Sequence, residues 1–369
     1  MPLLQKKVIP WATPRFWGNE QQYVADALQS SWISGGKYVD RLEADLARFC
    51  AAPHVVTASN GTAALHMAFL ALGVGRGDEV VVPGFAFMAA ANVALHMGAK
   101  PVFTEVNADN WCMTAQDAEK CLSSKTKVIV PVHTYGNLCD MDAIRHLADM
   151  HRVPVIEDAA EALGSRDRGR MAGTIAPVGV FSFQATKTIT TGEGGAVATR
   201  DADLRDRMRL YRNHGMSARR YWHEVVGHNF RLTNLQAALG CAQLERIDTI
   251  IAERNRVYSA YRRRLANLEG GVLQEFSRTV EAVVWAVAIK LDASAFPQGR
   301  DAVIEQLGEL GIETRPGFYS AGMMHHLYGT TYLPICEDLG RNVLSLPSSP
   351  TLTGEEIDYI CSSLSALRR

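Results

Sequence analysis

Phe181-Ser182-Phe183-Gln184-Ala185-Thr186-Lys187-Thr188-Ile189-Thr190-Thr191-Gly192-Glu193-Gly194-Gly195 decides how this chain is read. An apolar run (179–183) leads into it and another (195–199) leads out, so both flanks read as strands. The lysine between them stands shortly after a strand and ahead of a glycine-rich turn, a place for a closed pocket and not for a solvated helix face. Outward from this point the same rhythm repeats. Runs at 54–57, 79–83, 101–105, 127–132 and 153–157 read as strands, with helices at 62–72, 89–97 and 141–151 between them. Valine and isoleucine dominate several runs without clean alternation, which suits strands buried on both faces of a mostly parallel sheet. Strands alternating with helices predict an α/β layered fold. Ligands in such sheets gather at the carboxyl ends of the strands. Ser59, residues 83–87, His133, Asp158 and residues 184–187 all fall just after a strand.

The residue types at these strand ends specify a chemistry. A lysine amine becomes nucleophilic when burial lowers its pKa, and it then forms Schiff bases with aldehydes. Asp158 ends Val153-Pro154-Val155-Ile156-Glu157-Asp158. A carboxylate beside a pyridine nitrogen keeps that nitrogen protonated, and the cationic ring then acts as an electron sink. Ser59-Asn60-Gly61-Thr62 opens an apolar helix, where free N–H groups and the helix dipole attract a phosphate; Ser182 offers a hydroxyl to the same group. Lysine, carboxylate and helix N-terminus together predict a site for pyridoxal 5'-phosphate. Bland readings stand beside these: Asp158 as a capping carboxylate, and 59–62 as a simple N-cap. Phe87 is expected to stack on the pyridine ring and Phe85 to pack in the core. Gly192-Glu193-Gly194-Gly195 reads as a turn requirement, since no G-x-G-x-x-G accompanies it. His133, His214 and His228 lack metal-ligand spacing, so no metal is expected; they read as structural histidines or as one substrate hydrogen-bonder.

The chain has 369 residues, 47% hydrophobic and 21% charged, which suits a large core and argues against disorder. Net charge is -1, from 38 basic against 39 acidic residues, so nothing in bulk draws it to nucleic acid or an anionic membrane. Seven scattered cysteines form no C-x-x-C pair, which predicts free thiols in a reducing cytoplasm. Residues 1–7 lack the apolar core of a secretion signal, and no apolar run reaches the length of a membrane span. Residues 1–35 read as an irregular arm with one short helix at 19–30. From Thr233 the apolar spacing turns helical, and the arginine-rich run 254–264 reads as a solvated helix face. A strand at 282–289, a helix at 300–310 and a last helix from Gly354 predict a smaller α+β domain. The expected division is 1–240 for the arm and large α/β domain, and 241–369 for a long connecting helix and the small domain.

Taken together, these residues resemble the DegT/DnrJ/EryC1/StrS sugar aminotransferases, a branch of the fold-type I pyridoxal phosphate enzymes. The likeness runs through Trp32-Ile33-Ser34-Gly35-Gly36-Lys37, Ser59-Asn60-Gly61-Thr62-Ala63-Ala64-Leu65, Pro131-Val132-His133-Thr134-Tyr135-Gly136, Glu157-Asp158-Ala159-Ala160-Glu161-Ala162, the lysine run, and Gly227-His228-Asn229-Phe230-Arg231-Leu232. The resemblance implies that Lys187 carries the Schiff base, that Asp158 pairs with the ring nitrogen, and that Gly61, Thr62 and Ser182 bind phosphate. Asn229 is implied to reach the cofactor phosphate of a neighbouring subunit, hence a homodimer with shared sites. Glu161 lies near the ring hydroxyl, and a glutamate there is similar to the perosamine-making branch, as are Arg219 to His223 and Glu313 to Pro316. Trp32, Ser34, His133, Arg231, Arg315 and Tyr319 are the expected substrate contacts. The implied reaction moves an amino group from L-glutamate, through pyridoxamine phosphate, to a nucleotide-linked 4-keto-6-deoxyhexose. A 3-keto sugar, a keto-cyclitol, or a sensor using the fold without turnover are the alternatives. Two segments depart from the family: Tyr319-Ser320-Ala321-Gly322-Met323 replaces a Tyr-Pro-x-His string, and Met88-Ala89-Ala90 lacks a frequent serine. Both belong to the substrate side.

Overall fold

The computed structural model describes residues 8–369, so the reading of residues 1–7 falls outside the described residues. Strands β1 (His54–Ala58), β2 (Glu79–Pro83), β3 (Lys100–Thr104), β4 (Thr126–Ile129) and β5 (Ile156–Asp158) come first. A small hairpin, β6 (Arg166–Asp167) and β7 (Arg170–Met171), precedes β8 (Val178–Ser182) and β9 (Gly195–Thr199). The strands lie in the orders β3-β2-β4 and β1-β9-β8-β5. Parallel bridges Ile129–Val155 and Val132–Asp158 join the two groups into one sheet. Every pairing within it is parallel except those of β9, which runs antiparallel to both β1 and β8.

Alternation along each strand feeds two cores. Val55, Val81, Ile129 and Phe181 point to one face, while Val56, Val80, Val82, Val128 and Val180 point to the other. Both faces are covered, which is why the sequence shows unbroken valine runs. Helices α1 (Glu20–Gln29), α2 (Lys37–Cys50), α3 (Gly61–Ala71), α4 (Ala89–His96), α5 (Ala115–Glu119), α6 (Met141–His151) and α7 (Ala202–Arg212) accompany this sheet. α3 is apolar on nearly every side and buried along its length.

α8 (Asn234–Leu244) starts with a capping box, in which Thr233 and Gln236 bond each other's backbone. After a break at Glu245–Arg246, α9 (Ile247–Leu265) runs toward a second, fully antiparallel sheet. Its strands are β10 (Gly271–Leu273), β12 (Ala288–Leu291), β14 (Val343–Ser345) and β13 (Arg315–Pro316), while β11 (Val280–Glu281) pairs instead with β6. α10 (Gly299–Glu309), α11 (His325–Tyr328), α12 (Pro334–Asn342) and α13 (Gly354–Ala366) complete the chain. A third core gathers around Tyr261, Phe296, Ile289 and Ile360.

Three expectations need correction. The strand expected at 127–132 ends at Ile129, and beyond it the chain turns through His133 into a short 3-10 turn. The strand expected at 282–289 is interrupted: residues 282–287 are irregular, and their valines pack in the core without a ladder. The arginine run is not uniformly solvated. Arg262 and Arg263 are exposed, but Arg254 is buried.

Candidate active site

The lysine run forms a loop pinched at its neck. Phe183 N–H donates to Gly194 O (2.8 Å), and Thr191 N–H donates to Phe183 O (2.9 Å). Gly192, at φ +81°, makes the return turn that the sequence anticipated. Inside the loop, Lys187 N–H bonds Gln184 O at 2.9 Å, and the Gln184 side chain accepts from both the N–H and hydroxyl of Thr186. The lysine therefore leaves a braced backbone, and its amine lies 3.5 Å from the centre of the Trp285 ring.

Asp158 is fixed by the segment that follows β4. Its N–H bonds Pro131 O (2.9 Å), and its carbonyl accepts from His133 N–H (3.0 Å). Its Oδ1 accepts the Ala160 N–H at 3.1 Å. Glu161 follows in the same turn. Its Oε2 accepts the Tyr135 N–H at 2.8 Å, and its Oε1 lies 3.6 Å from Lys187 Nζ. Tyr135 holds a left-handed backbone, φ +59°, with its ring stacked between Phe318 and Trp285. Strain of this kind persists where packing over-determines the residue.

These groups face one cavity of about 560 Å³, lined on its polar side by Gly61, Thr62, Asp158, Glu161, Ser182 and Lys187. At its far end stands the start of α3. Asn60 caps Ala63 N–H at 2.8 Å, and Ala64 N–H bonds Asn60 O. The remaining first-turn N–H groups, on Gly61 and Thr62, are left for a ligand. A Cβ at position 61 would meet Ser182 Cβ at 3.0 Å and Oγ at 3.2 Å, so glycine keeps helix and hydroxyl close. An N-terminal anion cradle, a buried carboxylate and a buried amine in one cavity fit pyridoxal 5'-phosphate by size, charge and donor set.

Burial governs the electrostatics. It holds the Lys187 amine below the usual lysine range, against the pull of Glu161 and Asp158. It raises the Asp158 carboxyl despite the Ala160 N–H and the Lys187 charge, and it raises Glu161 likewise. An amine less basic than usual, beside carboxyls more basic than usual, is poised to lose and regain protons.

The structure brings Gly61, Thr62, Phe87, Asp158, Glu161, Ser182 and Lys187 to one cavity. Phe87 stands on its rim, 64% exposed and edge-on to Phe318, while Phe85 is in the core as expected. Other candidates lie elsewhere. His133 is fully buried, with Nε2 at 3.0 Å from Glu157 and Nδ1 accepting from Cys139 N–H. Both ring nitrogens are occupied, so it is the structural histidine and not a substrate contact. Trp32, Ser34, Arg315 and Tyr319 are exposed outside the cavity wall, and Asn229 is exposed as well. Arg231 bonds Asn213, and Arg315 pairs with Glu313.

Sequence reasoning missed Trp285 and Arg254. Trp285 N–H bonds Tyr135 O, and its indole donates to Thr186 O at 2.9 Å. Val283-Val284-Trp285-Ala286 looks like ordinary strand core, so no local pattern marks the ring as a pocket wall.

Among the described residues no cluster of side chains could hold a metal ion, and no helix is long and apolar enough to cross a membrane. All seven cysteines are unpaired. A family model described as the DegT/DnrJ/EryC1/StrS aminotransferase family matches residues 16–365. The chain is 42% identical to GDP-perosamine synthase of Caulobacter vibrioides, covering 96% of each chain. It is 40% identical to GDP-perosamine synthase of Vibrio cholerae, over 97% of this chain and 98% of that one. Its backbone superposes on the PLP-form of a putative sugar aminotransferase, Spr1654, from Streptococcus pneumoniae with a TM-score of 0.92, at 26% identity and 98% coverage of both chains.

Proposed function

The chain belongs to the DegT/DnrJ/EryC1/StrS aminotransferase family, and from that premise we propose that it transfers an amino group from L-glutamate to a nucleotide-linked 4-keto-6-deoxyhexose, with pyridoxal 5'-phosphate as cofactor. One observation carries the reading: Lys187, Asp158, Glu161 and the open N-terminus of α3 face a single cavity. The similarity to GDP-perosamine synthases favours GDP as the nucleotide and C4 as the aminated carbon.

When bound, pyridoxal 5'-phosphate supplies an aldehyde for an amine and a ring that accepts the electron pair left when a neighbouring carbon loses its proton. The protein's own residues supply the rest. The Gly61 and Thr62 N–H groups and the Ser182 hydroxyl hold the phosphate, aided by the α3 dipole. Asp158 keeps the ring nitrogen protonated by placing a desolvated negative charge beside it. Glu161, tied to the Tyr135 N–H with its Oε1 3.6 Å from Lys187 Nζ, would face the ring hydroxyl. Lys187, made less basic by burial, would take the proton from the amino-bearing carbon at Nζ and return it to the carbon on the other side of the amino nitrogen. Trp285, backed by the stacked rings of Tyr135 and Phe318, walls the cavity beside that amine.

The same proposal includes a homodimer. Asn229 is exposed and outside its own chain's cavity, which suits a residue lent to a second copy's phosphate site. It also includes the division into 1–240 and 241–369, and a cytoplasmic location where the seven thiols stay reduced. The test is a panel of GDP-, dTDP- and UDP-linked keto sugars with L-glutamate, reading 2-oxoglutarate. Turnover with a GDP-linked 4-keto-6-deoxyhexose is expected. Release of 2-oxoglutarate only with a 3-keto sugar or a keto-cyclitol would replace the substrate, and none with any acceptor would overturn the reaction.

A further inference from the structure

Arg254 is a cation where none is needed for solubility. It lies on α9, 6% exposed, and its chain neighbours Asn255 and Arg256 are exposed. Burial pushes its guanidinium down to about 10, with no acidic partner offsetting the cost. Its Nε is buried without a bond among the described residues. Such a group persists only where its remaining bonds matter. Those bonds go to three carbonyls: Nη1 donates to Trp285 O at 3.0 Å, and Nη2 donates to Lys187 O at 2.8 Å and Thr186 O at 3.3 Å. Two of these acceptors belong to the reactive loop, and the third belongs to the residue whose ring lies under the amine. The Trp285 indole closes the circuit by donating to Thr186 O.

We propose that Arg254 is a positioning residue for the transamination: its planar fork ties the backbone of Lys187 to that of Trp285 and so fixes where the lysine amine stands in the cavity. A lysine at 254 would carry the charge but not the fork, because an ammonium is a compact point charge without planar geometry. The inference rests on Lys187 being the cofactor lysine, so the test separates the two. The charged groups around Lys187 are Asp158 at the end of β5, Glu161 from the turn after it, Glu193 from the return of its own loop, and Arg254 from α9; Arg15 of the N-terminal arm lies behind the loop. Arg254 disfavours a second positive charge beside it.

Two variants, Arg254→Met and Arg254→Lys, are compared in two measurements. The first is kcat and KM for glutamate in the loaded enzyme. The second is reductive methylation of Lys187 against pH in the full chain freed of cofactor, read by peptide mass. Arg254→Met is expected to lose about ten- to a hundredfold in kcat, the scale of a misplaced catalytic group, with KM nearly unchanged and the methylation midpoint moved to higher pH. Arg254→Lys should lose kcat comparably while the midpoint stays near wild type. Wild-type kcat in a folded Arg254→Lys overturns the positioning role, and this variant decides the matter if Arg254→Met is recovered unfolded. An unmoved midpoint in a folded Arg254→Met overturns the electrostatic part. The methylation needs no turnover, so an inactive wild type would sink the proposed reaction without touching this measurement.

Discussion

The floor of the cavity and its mouth are built to different standards. On the floor, Asp158, Glu161, Ser182 and Gly61 stand at strand ends, in the turn after one and at the start of a capped helix, and Lys187 stands on a loop closed by its own backbone bonds. The residues proposed for the mouth, Trp32, Tyr319 and Arg315, are exposed and lie outside this chain's cavity wall, Trp32 at 70% exposure. Position on the floor is set by the sheet, which tolerates little change. Position at the mouth is set by surface loops and, in the proposed dimer, by a second copy. The difference predicts that the chemical step and the choice of sugar can be changed separately.

The sharpest way to break that separation is to remove floor groups. Lys187→Ala should abolish 2-oxoglutarate release from glutamate, and the protein should take up pyridoxal phosphate without its yellow absorbance band; residual turnover would remove the lysine from its role. Asp158→Asn should lower kcat by roughly a hundredfold or more, the scale of losing one electrostatic partner in a dry site. The same change has an opposite effect on the empty protein. Burial raises the folded carboxyl above its ordinary 3.8, so its stabilising contribution is present below that value and lost as pH rises through the folded one. At neutral pH the carboxylate is a cost, and Asp158→Asn should melt higher than wild type at pH 8 with the gain vanishing near pH 4. Calorimetry at the two pH values checks the sign. Gly61→Ala should weaken cofactor binding by about tenfold, read by titration of the absorbance band, because the added methyl crowds Ser182. Least affected should be mouth variants. Tyr319→Phe and Arg315→Ala should leave the glutamate half-reaction within about threefold, with any change confined to KM for the nucleotide sugar. A large loss in the glutamate step would show that mouth and floor are coupled after all.

The same contrast explains what could be read without coordinates. The strands and the residues following them were legible, because two-sided burial leaves valine runs and strand ends collect the site. Helix Met141–His151 and strands Glu79–Pro83 and Gly195–Thr199 match their expected limits. Asp158 and Lys187 were legible because each follows an apolar strand directly in the sequence. His133 was misjudged because its partners, Glu157 and Cys139, are chosen by packing across a turn. Arg254 was misjudged because charge runs on helices are usually solvated, and nothing nearby in sequence shows the three distant carbonyls it meets. Trp285 was missed because the irregular stretch that carries it has a strand's composition. Distant contacts set Arg254 and Trp285, and for His133 the Glu157 carboxylate, 24 residues on, falls outside any short window.

The pinched loop has one more implication. Its neck is closed by bonds to its own strands, and its outside supports are the α9 arginine, the Trp285 indole and Gln236 of α8. Helix α9 is also the strut leading to the antiparallel sheet. Arg254 is thus the one of these supports that links the lysine backbone to the strut, so a fault at the α9 end of the fork should register as slower turnover while the yellow chromophore stays intact.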